Sequence, residues 1–131
     1  MAGNNNAMNI KEKYSALIVD DSAIIRSVGQ QMLEKHGFKT ITAENGKEAV
    51  DFFVAGNSCD IIVMDMEMPI MDGIQATKEL RAMGVKSLIF GATASNSKAD
   101  IEAFIEAGLD EFIEKPLCDG KLNHMLKRLF C

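Results

Sequence analysis

Cysteine and positive charge are scarce in this chain, and a long apolar run is missing altogether. The three cysteines, Cys59, Cys118 and Cys131, are odd in number and show no C-x-x-C spacing, so they suggest neither a disulfide framework nor a zinc site and point to a reducing compartment. Fourteen Lys and Arg stand against nineteen Asp and Glu, a net charge of −5. That balance argues against sequence-independent binding of nucleic acid or anionic lipid, which needs clustered cations. The one basic cluster, "KLNHMLKR" near the end, reads as the solvated face of a last helix. No segment is long and apolar enough for a membrane span, and the opening "MAGNNNAMNIKEKY" lacks an apolar signal core. A cytoplasmic, or also nuclear, location with no nucleic-acid and no membrane partner is therefore expected. No fixed-period repeat and no phosphate-binding P-loop motif occur.

What remains, 131 residues at 47% hydrophobic, suits one globular domain with one core and no separate output module. Residues 1–13, rich in Asn and Gly, read as a disordered tail before a domain over 14–131. The nine methionines are scattered and read as core filler.

Short apolar runs fall at "ALIV" 16–19, "KTIT" 39–42, "DIIVM" 60–64, "SLIFGA" 87–92 and "EFIE" 111–114, alternating with helical periodicities. The first helix is expected to bury Ile25, Val28, Met32 and His36, and to stop at Gly37. The second carries Ala49, Phe52 and Phe53, the third Ile74, Thr77 and Leu80, the fourth Ile101, Phe104 and Ile105, and the fifth Leu122, Met125, Leu126 and Leu129. Five β/α repeats with apolar strands predict a doubly wound α/β domain, a five-stranded parallel sheet with helices on both faces. Right-handed crossovers then gather the carboxyl ends of the strands on one edge, where such sheets keep their sites.

Five functional groups are predicted at that edge. "IVDDS" after strand 1 brings Asp20 and Asp21, "VMDMEMP" brings Asp65, "GATAS" brings Thr93 and "IEKPL" brings Lys115. Adjacent aspartates alone read best as a helix cap, and Asp65 alone as a turn former. Three convergent carboxylates instead call for a hard divalent cation such as Mg²⁺. With it, Asp65 can attack phosphorus to give an acyl phosphate, while Lys115 offsets charge on the transferring oxygens and Thr93 bonds the product.

"VDD", "MDMEMPIMDG", "GATAS" and "EKP", in that order, resemble the response-regulator receiver domains of two-component phosphorelays, a flavodoxin-like (βα)5 fold, over about residues 15–131. The resemblance implies Asp20 and Asp21 as the acidic metal-binding pair, completed by Asp65 and the backbone carbonyl of Glu67. It also implies Asp65 as phosphoacceptor, Lys115 as the phosphate-contacting lysine before a cis Pro116, and Thr93 and Phe112 as switch residues. "MDMEMPIMDGIQATKELRAMG" is further similar to the output-free, type-C regulators of plant cytokinin relays, with a receiver excised from a hybrid histidine kinase as the alternative.

The function this implies is a stand-alone, monomeric receiver that takes a phosphoryl group on Asp65 from a histidine-containing phosphotransfer protein and loses it by hydrolysis. A phosphohistidine phosphatase-like phosphate sink is the enzymatic alternative. A haloacid-dehalogenase-type phosphatase would need D-x-D after strand 1, where this chain has "DDS", and an FMN phosphate would be repelled by the aspartate pair. Because Ile24 and Ile25 lie about 100° apart on a helix, at least one is expected at the rim, forming with Met68, Pro69 and Pro116 a seat for the donor's helix. Glu67 and Ser95, two residues beyond Asp65 and Thr93, leave the phosphoryl lifetime open.

Overall fold

The computed structural model describes residues 14–130 except Asn96, with the side chains of residues 128–130 excluded. The tail predicted over 1–13, the core position Leu129 and Cys131 lie outside the described residues. The chain runs β1 (Ser15–Val19), α1 (Ala23–Lys35), β2 (Lys39–Ala43), α2 (Gly46–Val54), β3 (Ile61–Asp65), α3 (Gly73–Ala82), β4 (Leu88–Thr93), α4 (Lys98–Ala107), β5 (Glu111–Glu114) and α5 (Asp119–Phe130). All strand pairs are parallel and the sheet order is β2-β1-β3-β4-β5.

Strand alternation divides the interior into two cores. Ala16, Ile18, Ile61, Val63, Phe90 and Ile113 pack with Leu33 of α1 and with Leu122, Met125 and Leu126 of α5. Leu17, Val19, Ile62, Met64 and Ile89 point the other way, against α2, α3 and Phe104 of α4. Burial on both faces of the central strands β1, β3 and β4 is why they read as continuous apolar runs, while the edge strands β2 and β5 are partly exposed and keep Lys, Thr and Glu. Four helices begin on a side-chain cap that accepts an amide three residues on: Ser22, Asn45, Asp72 and Ser97. Arg81 ties the far end of the sheet together. Its guanidinium donates to the Gly108, Val85 and Ser87 carbonyls and to Asp110, whose carboxylate also accepts the Ile89 amide at 2.7 Å.

Two sequence expectations need correction. Helix α1 buries Gly29 and Leu33, with Met32 half-buried, while Ile25 (41%) and Val28 (46%) are substantially exposed. The buried row lies one residue out of phase with the expected one, because Gly29 carries no side chain to mark the face that lies against Ile18. In α4, Phe104 and Ala107 are buried and Ile105 is 50% exposed. His36, expected to end α1 beside the core, does so as its half-buried C-cap, with Nδ1 3.0 Å from the Met32 carbonyl oxygen. Burial pushes the Cys59 thiol up to about 11, so it stays protonated and unreactive.

Candidate functional site

The sheet order changes direction at β1, whose two neighbours are β2 and β3, so a crevice opens beyond the carboxyl ends of β1 and β3. Asp20 follows β1 directly and Asp65 ends β3, and both are at least nine-tenths buried. They fall on the alternation of Ile18 and Val63, as Lys115 falls on that of Ile113, so all three point to the side of the sheet that α1 and α5 cover. The Lys115 ammonium lies 2.8 Å from Asp20 Oδ2 and 3.0 Å from Asp65 Oδ1. Burial tends to lower the Lys115 pKa, but its hydrogen bonds and charge contacts with Asp20 and Asp65 outweigh this and hold it above its usual value. The Asp65 carboxyl is also raised: burial is the largest cause and the Asp20 and Asp21 charges add to it, against the opposing hydrogen bond from Lys115.

Neither aspartate caps α1, because Ser22 does so by accepting the Ile25 amide. Asp20 Oδ1 instead accepts the Ser22 amide at 2.9 Å, and its backbone carbonyl accepts from Arg26 Nη1 at 2.8 Å. The turn thus holds Asp20 inward and leaves Asp21 exposed. Oxygen atoms of Asp20, Asp21 and Asp65 lie within 4.8 Å of one another, a donor set that fits a hard divalent ion. The Glu67 side chain is exposed. The loop's backbone bonds use the Met66 and Pro69 carbonyls rather than that of Glu67.

Thr93 is buried, and its hydroxyl oxygen accepts the Ser95 amide at 3.0 Å. It has the strand parity opposite to the acidic cluster, so the structure does not bring it into the Asp20–Asp65–Lys115 contact. Phe112 is half-buried on β5. The Lys115–Pro116 peptide is cis. Ile24 is 77% exposed. Ile25 and the exposed Pro116 line one cavity, while Met68 packs on the opposite core, next to the exposed Pro69. The five residues expected to form one docking seat therefore divide into two groups, Ile24 and Ile25 with Pro116 on one side and Met68 with Pro69 on the other. His124 is exposed and pairs with Glu111 at 2.8 Å, outside the cluster.

Sequence reasoning missed three supports of the site. Arg26 anchors the Asp20 turn, and only its position six residues beyond Asp20 hinted at this. Ile70 sits at φ 73°, spanned by a hydrogen bond from the Met71 amide to the Pro69 carbonyl. A β-branched residue in that region is strained, and nothing in its side chain announces it. Gly73 opens α3 against the end of β3: its amide donates to Met66 O at 2.8 Å, and an added Cβ would stand 2.1 Å from the Asp65 carbonyl oxygen. Gly73→Ala must push α3 off the strand that carries Asp65, at about 3 kcal/mol by analogy with overpacked cores. A urea midpoint for Gly73→Ala equal to that of the parent would refute this close approach.

Residues 16–127 match the family model of the response regulator receiver domain. The chain is 47% identical over 119 residues to two-component response regulator 24 of Arabidopsis thaliana, covering 91% of this chain and 86% of that protein. It is 39% identical over 127 residues to response regulator ARR22 of the same plant, covering 95% and 89%. Among solved structures it resembles the response regulator TrrA of Thermotoga maritima in complex with Mg²⁺ and BeF, with a TM-score of 0.74 and 31% identity over 88% of this chain and 98% of that one. Among the described residues no helix is long and apolar enough to cross a membrane.

Proposed function

Because this chain belongs to the response regulator receiver domain family, we propose that it is an Mg²⁺-dependent phosphoryl acceptor in a His–Asp phosphorelay, with Asp65 as the acceptor. The observation that carries this reading is the buried Asp65 carboxylate, fixed at 3.0 Å by Lys115 beside two further carboxylates. Asp20, Asp21, Asp65 and the Glu67 carbonyl would hold the ion, which supplies charge neutralisation for an incoming phosphoryl group. Asp65 Oδ1 is engaged by Lys115 and its other oxygen accepts no hydrogen bond among the described residues, so one oxygen is held while the other is presented for attack. Phosphoryl transfer moves the P–N bond of a phosphohistidine to a new P–O bond on Asp65, and the donor imidazole leaves with the bonding electron pair. Lys115 is placed to stay with the phosphoryl oxygens. Thr93, turned away towards Ser95, would have to release that amide to reach them, with Phe112 following.

The donor is a histidine-containing phosphotransfer protein, docked against Ile24, Ile25 and Pro116 on one side and Met68 and Pro69 on the other. Support comes from exposed apolar side chains at the start of α1 and in the loop after β3: Ile24 at 77%, Ile25 at 41% and Ile70 at 78%. Similarity to two plant regulators over most of their own length supports the stand-alone, output-free reading. The deciding experiment follows radiolabel from a phosphorylated phosphotransfer protein to this chain over time with Mg²⁺ present. Appearance of one label on Asp65 supports the reading, and failure of any transfer removes it. Ile24→Asp should slow transfer from the protein donor about tenfold or more while leaving labelling by acetyl phosphate intact, since it alters docking and not chemistry. Equal loss of both reactions would remove the docking claim. Asp21→Ala should weaken Mg²⁺ several-fold and raise the metal-free melting temperature, because one of three mutually repelling carboxylates is gone. Unchanged Mg²⁺ affinity by calorimetry would take Asp21 out of the metal site.

A further inference from the structure

The acidic cluster opens onto an apolar space. A cavity of about 410 Å³ lies between α1 and the segment that follows β5, with Asp20, Asp65 and Lys115 at its polar end. Its floor is Ile18, Val63 and Ala92, and Gly29 and Leu33 form the α1 wall. The half-exposed Ile25 and Val28 border it where it meets solvent.

Gly29 is the residue of its α1 wall that carries no side chain. It lies in the interior of the thirteen-residue helix α1, where glycine is less favourable than any residue except proline. Sterics do not require it, because an added Cβ would meet Ile18 only at an ordinary 3.4 Å. The bare backbone leaves open a volume that a larger side chain would occupy, although protein interiors keep few voids larger than a water molecule. A helix penalty and a packing penalty thus coincide at one position, and what they create is concave, mostly apolar and closed at one end by a few convergent polar groups. That is the form of a small-molecule site.

Charge selects the ligand class. The carboxylates of Asp20, Asp21 and Asp65 face two cations, Lys115 and the Arg26 guanidinium bonded to the Asp20 carbonyl, which leaves one negative charge in excess. The Asp65 side chain is 8% exposed, and the oxygen that does not meet Lys115 accepts no hydrogen bond among the described residues. We propose that this cavity binds a small apolar amine, with its body between α1 and the sheet and its ammonium on the unoccupied oxygen of Asp65. An ammonium there takes an oxygen that a divalent cation would need, so amine and Mg²⁺ exclude each other. The binding claim rests on the cavity and the cluster alone and does not depend on the phosphorelay reading.

The test uses three probes with one indole body and different heads: tryptamine, its neutral alcohol tryptophol, and anionic indole-3-propionate. Each is titrated into the full chain in metal-free buffer and followed by amide chemical shifts. Saturable tryptamine binding is expected, mapping to Ile18, Gly29, Val63 and Ala92, with tryptophol at least about tenfold weaker and the propionate not saturating. Added Mg²⁺ should raise the apparent Kd for tryptamine. Gly29→Leu should abolish tryptamine binding while raising the melting temperature, and Gly29→Ala should weaken it less, so that loss of binding is not confused with loss of fold. Three outcomes would overturn the proposal: no saturation by tryptamine, equal affinity for the three heads, or undiminished binding in a folded Gly29→Leu protein.

Discussion

Asp65→Asn is expected to lose phosphoryl labelling from both protein and small-molecule donors, by about three orders of magnitude or more, the scale on which removal of a nucleophile is felt. The amide keeps the carboxyl's shape, so β3 and its packing should persist. In metal-free buffer at neutral pH the variant should be more stable than the parent, because the buried carboxylate carries a raised pKa and its ionised form is penalised by the fold. The pH dependence follows from that direction. A carboxyl whose folded pKa lies above its unfolded value binds its proton more tightly in the folded state, so the parent gains stability as pH falls through the folded pKa. The advantage of Asp65→Asn should therefore shrink on acidification. Mg²⁺ should raise the parent's melting temperature and leave that of the variant nearly unchanged. Full labelling of Asp65→Asn, detected by intact mass after incubation with acetyl phosphate and Mg²⁺, would move the acceptor elsewhere.

The fold was legible because its three central strands are buried on both faces. Runs such as "DIIVM" and "SLIFGA" need no help from periodicity, and their alternation with helical stretches leaves little freedom in topology. The groups at the sheet edge were legible for the same reason, since Asp20, Asp65 and Lys115 each stand where a strand runs out. What stayed hidden depends on atoms that a sequence does not name. Gly29 marks the buried face of α1 by having no side chain, so the apolar row reads through Val28, one residue away. The orientation of Thr93 depends on whether its hydroxyl takes the Ser95 amide or turns into the crevice, and a β-branched residue at a strand end permits both. Ile70 adopts a left-handed conformation because the Pro69–Met71 turn requires it, against its own preference. Arg26 acts through the backbone carbonyl of Asp20, a contact that residue types cannot disclose.

Lys115→Met tests how far the ammonium holds the site together. Methionine keeps much of the lysine stem's apolar packing and deletes the charge. Two carboxylates, each at least nine-tenths buried, are then left facing each other without the group that now lies within 2.8 and 3.0 Å of them. Breaking a buried pair in this way costs about 3 kcal/mol, taken at the low end because the crevice opens to water. The loss should depend on pH in a known direction. Without Lys115 the Asp65 carboxyl rises further, so the proton it binds on acidification relieves the repulsion, and the deficit against the parent should be smaller at pH 5 than at pH 8. Mg²⁺ should restore more stability to the variant than it adds to the parent, because the metal takes over the missing positive charge and no longer competes with an ammonium for the same oxygens. Phosphoryl labelling should nevertheless fall about a hundredfold or more, since a tighter metal does not replace a cation positioned on the phosphoryl oxygens. Denaturant melts at the two pH values, with and without Mg²⁺, separate this account from simple loss of packing: equal deficits at both pH values and equal gains from Mg²⁺ would mean that Lys115 acts as an apolar stem and not as the counter-charge of the site.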